Sequence, residues 1–316
     1  MTIPLTGLPL AAHADLVRSL PDLGYTDVWS SEVAGTDGVT PLALAGTWEP
    51  TLRLGTAVLP VHTRGPALIA MTAATMAAVA PGRFVLGLGA SSATIVQDWN
   101  GIDFDQPFRR TRDVLRFVRK ALAGERVDGA FDTFAVRRFA LESPPATPPP
   151  IFLAALRPQM LHLAGAEADG AILNWLAATD VPRCIEAVGN ASTELVARIF
   201  VCPTDDVTYA HTLGRRLIAT YLTVPAYAAF HDWLGRGELF APMHERWAAG
   251  DRRGAADAVP DEVVDALVLN GTPESCRAQL QAYADAGVDT PVLLVLPTPE
   301  LADPDAATDI LRRLSG

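Results

Sequence analysis

Residues 52–99, LRLGTAVLPVHTRGPALIAMTAATMAAVAPGRFVLGLGASSATIVQDW, constrain the fold more than any other stretch. Leu52–Leu59 is a short apolar run rich in branched side chains, and it stops at Pro60. Residues Pro66–Val79 follow with helical periodicity and small side chains, and Pro81-Gly82 ends them. Phe84–Leu88 is then apolar on both faces. A strand without a polar face belongs to a parallel sheet covered on both sides. The unit is therefore strand–helix–strand. Its second strand runs into Gly87-Leu88-Gly89-Ala90-Ser91-Ser92, where small residues let a flat ligand or a phosphate approach the backbone.

The same alternation runs along the chain. The pattern predicts strands near Thr2–Leu5, Thr26–Ser30, Leu52–Leu59, Phe84–Leu88, Ile151–Ala155, Gly170–Asn174, Val196–Val201 and Pro291–Leu296. Between them it predicts helices at His13–Leu23, Leu42–Trp48, Pro66–Val79, Arg109–Ala123, Gln159–Ala166 and Pro182–Val188. Alternating strands and helices of this number suit an α/β fold, a (β/α)8 TIM barrel. A doubly wound open sheet would need a GxGxxG turn after the first strand, and that region has none. Residues 1–316 read as one domain, with a helical insertion at about 205–289 before the last strand. Asn100–Pro150 is a second long connection, and its SPPATPPP run reads as extended. Tyr221, Tyr227, Phe230, Trp233, Phe240 and Trp247 crowd the insertion. Some are expected to cap the barrel mouth and most to pack.

Composition narrows the function classes. A net charge of −11 speaks against a nucleic-acid surface. Lys120 is the only lysine, so any anion site must use arginine or backbone N–H groups. Cys184, Cys202 and Cys276 lie far apart without metal-ligand spacing, and read as buried, reduced thiols. No His/Asp/Glu cluster has metal spacing either. The N-terminus lacks a basic, apolar leader, and no apolar run reaches the ~20 residues of a membrane span. A cytoplasmic protein acting on a small molecule is expected, and a homodimer is compatible with the sequence.

In a TIM barrel the active site lies at the C-terminal strand ends. That rule selects Glu32, Ala57-Val58 with His62 and Arg64 beyond, Gly89-Ala90-Ser91-Ser92, Arg157-Pro158, and Asn174-Trp175. Gly89, Ala90, Ser91 and Ser92 read as a ligand cradle or as a tight turn capping a helix. Trp99 and Trp175 read as substrate-pocket walls or core anchors, with Trp175 favoured for the pocket.

The GTAV turn, the helix ending in APGRF, LGLGAS followed by a Trp, and IFLAALRPQMLHLAGAEADGAILNW together resemble the bacterial luciferase-like monooxygenase superfamily. Within it they lean to the oxidoreductases that use the deazaflavin coenzyme F420. The resemblance implies a TIM barrel that passes a hydride between the deazaflavin and a small organic substrate. It also implies a non-proline cis peptide at Ala57-Val58 behind the ring; a plain trans strand end is the alternative. Relatives carry His or Glu where Ser92 stands, which puts an acid catalyst there in doubt. They have Gly-Pro where Arg157-Pro158 stands, so Arg157 either adds a guanidinium to the cofactor phosphate or turns to solvent. Hydride transfer leaves a proton to be placed, and Glu32 and His62 are the acid–base candidates. A salt bridge for Glu32 and a surface-loop position for His62 are equally open. Asp98 is a weaker candidate, and the helical histidines His13, His162, His211, His231 and His244 read as packing residues. An FMN-dependent monooxygenase on the same barrel and a non-catalytic flavin-binding protein are the rival functions.

Overall fold

The computed structural model describes residues 1–315. Its strands are β1 (Asp27–Ser30), β2 (Arg53–Thr56), β3 (Leu59–Pro60), β4 (Phe84–Gly89), β5 (Val127–Ala130), β6 (Ala135–Phe139), β7 (Ile151–Ala154), β8 (Gly170–Asn174), β9 (Glu194–Pro203), β10 (Val268–Gly271) and β11 (Thr290–Val295). Strands β1, β2, β4, β7, β8, β9 and β11 pair in that order, each parallel to the next. The eighth place is held by the chain start. Thr2 N donates to Leu293 O (2.7 Å) and Ile3 N to Trp29 O (2.8 Å), so Met1–Ile3 joins β11 to β1 and closes the barrel. The expected strand at Thr2–Leu5 is thus a single bridge at Thr2. Pro4 has no N–H with which to extend it.

The barrel interior is filled by Trp29, Val85, Phe152, Ile172, Val196 and Val292. Trp29 fits because Gly55 faces it: a Cβ there would lie 2.2 Å from the indole. At the N-terminal end, Arg53 joins Asp27, Glu194 (2.7 and 2.9 Å) and Thr290 (2.8 Å), tying β1, β2, β9 and β11 together. Helices cover the outside, among them Pro66–Val79, Pro107–Leu122, Pro158–Glu167 and Pro273–Asp285.

Three expectations are corrected. The run Leu52–Leu59 divides into β2 and β3 at Ala57-Val58. The connection Asn100–Pro150 holds a hairpin, β5 against β6, whose mostly exposed residues give no apolar signal. The segment 205–289 is not helical throughout. It carries five helices between Val207 and Leu267, then β10 parallel to the upper part of β9, and its last helix, Pro273–Asp285, is an ordinary cover of the barrel. Strand β9 projects beyond the rim, and the insertion builds a second core on it around Trp175, Phe200, Ile218, Leu222, Phe240 and Val264.

Candidate active site

A cavity of about 740 Å³ opens at the C-terminal end of the barrel. Its wall gathers Glu32, Ala57, Val58, Gly89, Ala90, Ser91, Ser92, Arg157, Pro158 and Asn174 from five separate strand ends. Small residues make its floor. The Ala57-Val58 peptide is cis. Thr56 Oγ1 donates to Gly87 O (2.9 Å) and accepts from Gly87 N (2.8 Å), locking β2 to β4 beside it. A Cβ on Gly87 would sit 1.8 Å from Thr56 O, and one on Gly89 would sit 2.5 Å from Val58 Cγ2. Only glycine fits either place. Ser91 then takes φ 71°, a left-handed conformation uncommon outside glycine, and a π-helical turn follows at Thr94–Asp98.

Glu32 lines the cavity with its carboxylate already engaged. Arg64 Nε donates to Oε1 (2.9 Å), Arg64 Nη2 to Oε2 (2.6 Å) and Gly38 N to Oε2 (3.0 Å). The pairing holds the Arg64 guanidinium above its usual pKa.

His62 does not line the cavity. Its Nδ1 lies 3.1 Å from Ala90 O and its Nε2 3.2 Å from Asp105 O, with the ring against Phe104. Burial is the largest influence on its pKa and lowers it, although both carbonyls favour the protonated ring. His62 is a brace between the glycine-rich turn and residues 100–106. Trp99 is 54% exposed and Asp98 is exposed, and neither reaches the cavity. Trp175 is fully buried outside it. The chain leaves β8 there with φ 54°, and the indole stacks on Phe200 at 3.8 Å in the core of the insertion.

Arg157 is exposed at the cavity edge and precedes the helix Pro158–Glu167. No side chain caps that helix; Pro158 has no N–H and Met160 N donates to Arg157 O (3.0 Å), so the Gln159 N–H is the free donor of its first turn, at the positive end of the dipole. Among the described residues no carboxylate lies within 4 Å of Arg157.

Of the cavity residues that sequence reasoning did not single out as site residues, three bear on the chemistry. Tyr221 and Tyr227 come from the insertion, where an aromatic run was read mainly as packing. Asn174 Nδ2 donates to Tyr227 Oη (2.8 Å), which leaves the phenol proton free to donate elsewhere. Burial pushes the Tyr227 pKa up to about 12. Arg198 is the third, on β9. Its signal was a charged residue at an inward position of an apolar strand. Cys184, Cys202 and Cys276 are buried free thiols, and burial pushes each upward in pKa. Among the described residues there is no metal-ligand cluster, and no helix is long and apolar enough to cross a membrane.

Rv3520c of Mycobacterium tuberculosis, provisionally named a coenzyme F420-dependent oxidoreductase, is 29% identical over 314 residues, covering 89% of each chain. The 5,10-methylenetetrahydromethanopterin reductase of Methanolobus tindarius is 25% identical over 302 residues, again covering 89% of each. The solved coenzyme F420 dependent tetrahydromethanopterin reductase of Methanopyrus kandleri superposes with a TM-score of 0.77 at 20% identity, over 99% of this chain and 96% of that one. The profile of the family described as luciferase-like monooxygenase matches residues 2–290, and the chain belongs to that family.

Proposed function

We propose that the cavity binds a deazaflavin of the coenzyme F420 type, and that the protein is an oxidoreductase acting on a small organic substrate. One observation carries this reading: a single cavity joins a floor of small residues to an uncapped helix N-terminus beside an unpaired arginine. The names of the relatives point to the same cofactor.

Ala57, Val58, Gly89 and Ala90 would back the ring, with Asn174 at its edge. Ser91, Ser92, Arg157 and the Gln159 N–H at the start of the helix Pro158–Glu167 would hold the phosphate, because a helix N-terminus favours an anion. When bound, the deazaflavin supplies hydride chemistry at ring carbon C5. The protein must then orient the substrate, exclude water and place a proton. Val224, Pro225 and Ala226 of the insertion cover the mouth and keep it apolar.

For the proton, Tyr227 is better placed than Glu32 or His62. Tyr227 lines the cavity, its hydroxyl receives a hydrogen bond from Asn174, and a phenol is protonated at neutral pH, here with its pKa raised further by burial. Glu32 spends its oxygens on Arg64 and Gly38, and so shapes the lip.

Titration of the cofactor-free protein with F420 and with FMN tests the reading, followed by anaerobic turnover over a substrate panel. Tighter binding of F420, with activity that persists without oxygen, is expected. Tight FMN binding with oxygen-dependent product would place the protein in the monooxygenase branch. Cofactor binding without turnover of any substrate would make it a flavin-binding protein.

A further inference from the structure

The cavity holds a cation with no counter-ion. Arg198 projects into it from β9. Its Nε is shut off from solvent and has no hydrogen-bond partner. Nη2 reaches only Ser31 Oγ, at 3.5 Å. Among the described residues no carboxylate lies within 4 Å of the guanidinium. Two other arginines of the barrel are matched: Arg53 to Asp27 and Glu194, Arg64 to Glu32. An arginine does not neutralise itself by losing its proton. Burying its Nε without a partner is costly, and that cost persists until an acceptor arrives.

We infer that Arg198 is the anchor for a carboxylate on the substrate. The inference rests on the redox reading of the cavity and adds the substrate class. A guanidinium pairs with a carboxylate through two parallel hydrogen bonds, a geometry matched to that group. Arg198 stands two strands round the barrel from the Arg157 helix end, so the cofactor phosphate and this cation occupy different sectors of the wall. Much of the rest of the wall is apolar, with Val33, Val58, Ile95, Phe104, Phe108 and Leu156. The substrate is therefore an apolar body bearing one carboxylate, held with its reactive carbon within reach of Tyr227.

The test uses matched acid–amide pairs, acetate with acetamide, hexanoate with hexanamide and cinnamate with cinnamamide. They are titrated by calorimetry into cofactor-free and F420-loaded protein. The wild type should bind at least one acid more than tenfold tighter than its amide. Arg198→Met should bring that ratio to about one, and Arg198→Lys should restore part of it. Because the substitution removes an uncompensated buried charge, Arg198→Met should also raise the Tm of ligand-free protein. The F420 dissociation constant should stay within twofold. Three results would overturn the inference. No pair shows an acid preference; or Arg198→Met lowers the Tm or fails to fold, which makes the arginine structural; or it weakens F420 tenfold, which assigns the cation to the cofactor. Acid preference in a protein that binds no F420 would leave this site standing and remove the redox reading.

Discussion

Acidification should destabilise this protein through His231. The side chain is 1% exposed, on the helix Pro225–Trp233 of the insertion. Its Nε2–H donates to Trp175 O (3.0 Å), its Nδ1 has no partner, and Phe240 meets the ring edge-on. Desolvation is the largest influence and lowers the pKa to about 4; Arg236 and His244 lower it further, while Asp180 and the Trp175 carbonyl oppose them. An unfolded histidine titrates near 6.5. Above that pH neither state carries the proton, and stability is independent of His231. Below it the unfolded chain takes up a proton that the native state refuses until pH ~4, so stability falls as pH falls. A gap of about 2.5 pH units at 1.36 kcal/mol each gives a full loss of about 3 kcal/mol, most of which has gone by pH 4.5. With an unfolding entropy of roughly 2.1 cal/mol/K per residue, that is about 4 °C in Tm for a chain of 316 residues. The control is His231→Gln, whose amide keeps a donor for Trp175 O and does not titrate. Melting both proteins from pH 7.5 to 4.5 should show the wild type losing about 4 °C more than the variant. Parallel profiles would refute the reasoning.

Tyr227→Phe should lower turnover by about 10²–10⁴ while leaving the F420 dissociation constant unchanged, as single-turnover kinetics and fluorescence titration would show. Arg157→Ala should weaken F420 binding by about 1.5–3 kcal/mol, less at high salt; an unchanged constant would assign the side chain to solvent. Gly87→Ala would press a methyl group against Thr56 O, and should cost at least about 1–3 kcal/mol in a urea melt.

Much of the barrel was legible because strand and helix periodicity are local. Phe84–Leu88 has no polar face, and Pro66–Val79 is punctuated at both ends, so each reads correctly without its neighbours. The glycine-rich turn was legible as a run of small residues, and the structure supplies the cause: Gly87 and Gly89 stand where a side chain would meet Thr56 and Val58 of another segment. The hairpin β5–β6 was not legible, since exposed strands carry no apolar alternation. Strand β10 was hidden inside a helical segment because it pairs with the projecting end of β9 and answers to that partner alone.

The sequence by itself determined which strand ends could meet at one mouth, and that small residues would floor it. Tertiary structure decided which polar groups are free there. Glu32 and His62 are residue types suited to acid–base work, yet Arg64 occupies the first and two backbone carbonyls occupy the second. Trp175 follows a barrel strand directly, yet its backbone turns it into the insertion core. Arg198 is a lone charge on an apolar strand and Tyr227 one aromatic among many, and only the packing of β9 against the insertion leaves one without a counter-ion and the other with a proton to give. Residue type sets what a group can do, but its partners set whether it is free to do it. Those partners come from distant parts of the chain, as Asn174 and Tyr227 do across 53 residues.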